Sequence, residues 1–198
     1  MKHIILCTLF QFLVSCGGYL GVGVKKTSVT EADSEDIYIG PKRVFVTSTA
    51  SDGDFGGIDA ADTACNALAS AANLKGGSWV AFLSDTTIDA KDRLTATGPW
   101  YLIDETTLTI NDMTELTSGS ITHAIDMDEN GNTVTADVWT GTIFDGTKES
   151  NGVCDDWTNG TGSGQGRHGR SDGAGGTWTH YTVVTCDFSK HIYCFEQD

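Results

Sequence analysis

Asp126, Asp128, Asn130 and Asn132 place a side-chain oxygen at every second residue, with Gly131 at the sixth position and Asp137 at the twelfth. A short loop wraps one Ca²⁺ with this spacing: the glycine makes the sharp turn and the last carboxylate closes the shell. Two features oppose that reading. The twelfth residue is Asp, one methylene shorter than a bidentate Glu, and neither flank has helical periodicity. A calcium site and a plain Asp/Asn/Gly surface turn are therefore both open. Asp52, Asp54 and Asp59 form a second acidic group, which Gly53 and Gly56-Gly57 already explain as a turn. Oxygen ligands dominate in both places, which argues against a transition metal.

Arg167-His168-Gly169-Arg170 is read as the one basic cluster of the acidic domain at 41–198. Its guanidinium forks suit a carboxylate or sulfate on a partner, and equally suit internal pairing with the chain's own aspartates. Trp100 and Trp178 stand beside turns and are candidate contact residues, with core packing as the alternative; Trp79, Trp139 and Trp157 read as core. Asp155-Asp156 is an acidic pair of the kind used for general acid and base work, or a pair of loop caps beside Cys154 and Trp157. The histidines have no nucleophile or acidic partner at a diagnostic spacing, and no Gly-x-Ser-x-Gly, His-Glu-x-x-His or phosphate loop occurs. A non-catalytic protein is expected.

What positions these groups begins with export. Lys2 and His3 precede the apolar run Ile4–Val14, too short to span a bilayer, and Leu13-Val14-Ser15-Cys16 follows. The tetrapeptide resembles a bacterial lipobox, in which the cysteine becomes the lipidated first residue. Residues 1–15 are then a signal peptide and Cys16 an anchor in the lipid bilayer. Gly17 rather than Asp in the next place resembles the pattern sorted to an outer membrane. Residues 16–40, with Gly, Ser, Thr and charges and little periodicity, read as a tether, and residues 41–198 as one domain. Net charge is −15, and loss of the signal peptide takes only Lys2 with it, leaving −16. Such a chain repels phosphates, which excludes nucleic acid as a partner. Beyond Cys16 four cysteines remain, an even number in an oxidising compartment, with three connectivities open.

Within the domain, Arg43–Thr49 alternates as a strand. Asp59 with Asp62 three residues on reads as a helix start, and Ile58, Ala61, Cys65, Leu68 and Ala72 share one helical face. Ser78–Ser84, Trp100–Ile103 and Asp137–Thr142 read as strands, whereas Thr106–Ile121 gives no clear signal. Thr179–Cys186 and His191–Phe195 read as a terminal antiparallel pair. The Gly/Ser/Asp-rich stretch between Cys154 and Cys186 is too poor in apolar residues for a core strand and reads as a long stapled loop. The class is α+β, with one clear helix and many short strands.

Leu68-Ala69 with Ala72 and Leu74, Trp79–Ser84, Val138-Trp139-Thr140-Gly141, Cys154–Thr158, and Cys186 with Ile192–Glu196 follow the order seen in endostatin-like domains. The chain resembles the bacterial surface lipoproteins of that class, within the wider C-type-lectin-like fold, over about Val44 to Glu196. The resemblance implies nested disulfides, Cys65–Cys194 and Cys154–Cys186. It also implies a surface-exposed, non-catalytic domain that binds an extracellular protein or glycan. A structural envelope lipoprotein without a discrete ligand is the alternative. Heparin binding and the histidine-rich zinc site of animal endostatins do not carry over, because this chain is acidic and lacks the histidines. The Glu-Pro-Asn and Gln-Pro-Asp tripeptides of calcium-dependent sugar binding are also missing.

Overall fold

The computed structural model describes residue 38 and residues 40–197; the expected signal peptide, the expected anchor Cys16 and nearly all of the expected tether lie outside the described residues. Among the described residues no helix is long and apolar enough to cross a membrane. The domain is α+β, with one long helix and a mixed sheet of eight short strands.

Strand β8 (His191–Glu196) is the hub. Along one edge it pairs antiparallel with β1 (Lys42–Val46), Val44 opposite Phe195 and Val46 opposite Tyr193. Its other edge is shared. β5 (Asp137–Trp139) runs parallel to it at His191 and Ile192, and β2 (Trp79–Ala81) antiparallel at Cys194 to Glu196. Beyond β1 lie β3 (Trp100–Tyr101) and β4 (Leu108–Ile110); beyond β5 lie β6 (Gln165–Arg170) and β7 (Thr182–Thr185).

Alternation along the hub builds two cores. Tyr193 and Phe195, with Val44, Val46, Phe82, Trp100 and Trp178, pack on one side of the sheet. Ile192 and Cys194, with Phe45, Leu83, Trp139 and Trp157, pack on the other, under helix α1 (Ile58–Ala71). The helix buries Ala61, Cys65 and Ala69, and Cys65 is bonded to Cys194 across the face it covers. The expected nested pairing is thus present in full, since Cys154 is bonded to Cys186. Where β8 ends, Glu196 is buried and takes hydrogen bonds from the amide, Nε and Nη2 of Arg43 and the amide of Gly77.

Three expectations need correction. The helix starts from Gly57 without a side-chain cap; the Asp62 carboxylate instead reaches across to the Ala81 amide and to Arg93. β7 and β8 are not partners, because β7 pairs with β6 while both edges of β8 are already taken. The glycine-rich stretch holds a sheet strand, β6, rather than a continuous loop. Its glycines permit this: a Cβ on Gly166 would lie 2.5 Å from the Trp139 ring, and one on Gly169 would lie 1.9 Å from the Trp178 carbonyl oxygen. Bare backbone lets the strand lie flat against two tryptophan positions, and the packing comes from its neighbours. The unassigned region contains β4 and a short helix, α2 (Met113–Leu116), capped by Asp112.

Candidate functional site

Val153 leads into Cys154, Asp155, Asp156 and Trp157, whose φ values are 47°, 50°, 57° and 62°. Four successive residues with side chains therefore make one left-handed turn, closed by a hydrogen bond from the Trp157 amide to the Val153 carbonyl. Each such residue costs on the order of 1–2 kcal/mol relative to a right-handed one. The surroundings hold it in place. Cys154 is bonded to Cys186, Trp157 is fully buried with its indole N–H on the Ser84 carbonyl, and the Asp156 carboxylate accepts the amide and hydroxyl of Thr86. Backbone strain sustained by its surroundings concentrates at functional sites.

Beside this turn lies an open cleft of about 380 Å³. It is lined by Thr86, Ser150, Asn151, Val153, Cys154, Asp155, Ser163, Gly164 and Gln165. Hydroxyls, carboxamides and one carboxylate share the lining about equally with apolar surface, and none of the lining residues is Lys, Arg or His. Asp155 faces solvent and holds the Asn159 carboxamide, which in turn organises Thr161 at the tip of the glycine-rich loop. The cleft therefore offers donors and acceptors, among them the exposed carboxamides of Asn151 and Gln165, to a hydrogen-bonding ligand. Asp155 and Asp156 do not face each other as an acid and base; each is tied to a separate loop.

The proposed calcium ligands are not brought together. Asp128 accepts the amides of Asn130 and Asn132 and the Asn132 carboxamide, capping a tight turn bridged by Met127 and Thr133. Asp137 instead bonds Lys190 at 2.9 Å and lies within 3.8 Å of His168 and 3.7 Å of Arg170. Burial raises its carboxyl pKa, but the Lys190 hydrogen bond and the charges of His168, Lys190 and Arg170 bring it below the ordinary aspartate value. Among the described residues no three His, Cys, Asp or Glu side chains, Asp126 included, gather to hold a metal. The alternation of oxygens is a turn's own capping pattern, and the twelfth position serves an ion pair.

The basic cluster and the two tryptophans are likewise used internally. Arg167 binds Glu149 through Nε and Nη2. Burial works to raise the Glu149 pKa, and the hydrogen bond and charge of Arg167 bring it below its ordinary value. Arg170 forks onto both oxygens of Asp172. Trp100 is fully buried, donating to the Glu196 carbonyl. Trp178 is fully buried against Phe82 and Tyr193, so neither tryptophan offers a contact surface. His168 is buried between Trp139 and Tyr181, and burial depresses its pKa. Of the residues singled out in the sequence, only the Cys154–Trp157 segment lies at the cleft. Thr86, Ser150, Asn151 and Gln165 were missed; nothing in their spacing marks them, since they are brought together by a disulfide and the β6 register. No family model matches the sequence, and no curated protein matches it.

Proposed function

We propose that the chain is a surface-anchored, non-catalytic binding lipoprotein, held by Cys16 in an outer membrane, that recognises a neutral glycan of its surroundings. One observation carries this reading: a polar cleft bounded by the left-handed Cys154–Trp157 turn and the glycine-rich loop, both clamped by Cys154–Cys186. Its hydroxyl and carboxamide groups, set beside apolar surface, match a ligand rich in hydroxyls with apolar ring faces. The nested disulfides and the sheet hub support membership of the endostatin-like, C-type-lectin-like class. Sugar binding here would be independent of calcium, because the Asp128 loop is occupied by its own amides.

Capture on a glycan array, with and without EDTA, tests this reading. Asn151→Ala and Gln165→Ala are expected to reduce capture about tenfold each while the circular dichroism spectrum stays unchanged. Capture of a protein but no glycan, or equal glycan capture by the parent and both variants, overturns it. Mass spectrometry of the mature chain tests the anchor, which requires diacylglycerol on Cys16.

A further inference from the structure

The open edge of β7 has a chemistry of its own. Among the described residues β7 pairs only with β6, at the end of the sheet. Arg167 in β6 turns its amide to Gly152 and its carbonyl to Thr140 and Gly141. Its neighbours Gly166 and His168 therefore face β7, where they meet Val184 and Thr182. Alternation then leaves the N–H and C=O groups of Val183 and Thr185 pointing away from the sheet. An edge of this kind is ordinarily blunted by charge, proline or a bulge. Here the chain carries 27 acidic residues, yet Thr182-Val183-Val184-Thr185 has none, and its flanks expose Tyr181 (51%) and Phe188 (55%).

We infer that β7 pairs antiparallel with β7 of a second copy, about a two-fold axis at Val184. In that register Val183 faces Thr185 of the copy and Thr185 faces its Val183, so all four outward groups on each chain find partners. The ends also match. Residue 187 of one chain comes to residue 181 of the other, bringing the Asp187 carboxylate to the Tyr181 hydroxyl and to Arg170, whose guanidinium lies 5.7 Å from that ring. The main-chain pattern would accept any extended strand, but a second copy meets the side-chain contacts at both ends, Asp187 to Tyr181 and Arg170, twice over by symmetry. This inference is independent of the glycan reading, since it does not use the cleft.

The test is made with the full chain in mild detergent. Val184 stands opposite itself in a non-hydrogen-bonded pair, where Cα atoms lie about 4.5 Å apart, within reach of a disulfide. Val184→Cys is expected to give a disulfide-linked dimer on a non-reducing gel, several-fold more than the parent chain gives. Thr182→Cys, on a more exposed residue, faces the already bonded Cys186 of the copy and is expected to give no more than background. Thr185→Lys places a charge on the edge and is expected to raise the dimer dissociation constant measured by sedimentation about tenfold or more. Equal linking by Thr182→Cys and Val184→Cys overturns the inference. So does a monomer at every concentration, a dimer indifferent to Thr185→Lys, or occupation of this edge by another protein.

Discussion

Thr179 shows how much depends on single atoms. Among the described residues its buried Oγ1 has no hydrogen-bond partner, nor has the Trp178 indole N–H, while its carbonyl accepts the Thr140 hydroxyl. Thr179→Val keeps the shape and removes the orphaned hydroxyl, so chemical denaturation is expected to show a gain of about 1 kcal/mol. His168 gives a pH effect whose sign follows from burial. Its pKa is depressed from 6.5, so the unfolded chain binds the extra proton more readily. Stability is therefore full above about pH 6.5 and falls as acid is added. His180, depressed by burial and by Arg167, adds in the same direction. Asp137 and Glu149, both held below their ordinary values, add a second loss below about pH 4.5. Urea midpoints measured from pH 7.5 to 3.5 should show both phases, and His168→Gln should reduce the first. The acidic loop left two readings open at this scale because a carboxylate alternating with amides looks the same whether it serves a cation or its own backbone. Asp128 serves its backbone.

At the scale of elements, apolar periodicity reported most of the structure, and failed where packing comes from a neighbour. Helix α1 and strands β1, β2 and β8 were legible because their own side chains alternate between faces. β6 was not, since Gln165–Arg170 has no apolar side chain and owes its place to Trp139 and Trp178. The cleft was hidden for the same reason: its walls belong to three segments joined by β6 and Cys154–Cys186. The two disulfides divide the elements between them. Cys65–Cys194 closes a separation of 129 residues and Cys154–Cys186 one of 32. Loop-closure entropy makes their removal worth about 5 and about 4 kcal/mol respectively. Cys65→Ala/Cys194→Ala should accordingly cost global stability. Cys154→Ala/Cys186→Ala should in addition release the left-handed turn, raising hydrogen exchange at residues 154–159 and weakening glycan capture.

For the molecule as a whole, the buried Arg43–Glu196 pair ties the first strand to the last. Truncating one partner leaves the other charge without compensation, so Glu196→Gln is expected to lower unfolding free energy by about 3–5 kcal/mol in urea titrations. A loss under about 1 kcal/mol would mean that water reaches the guanidinium. These two residues stand 153 positions apart, and β1, β2 and β5 have no common neighbour except the strand that carries Glu196. A nascent chain still on the ribosome, with residues past 190 not yet made, has a helix and some hairpins but no centre to assemble them. It closes only once the hub segment has been made, so a chain truncated before His191 is expected to show no cooperative urea transition.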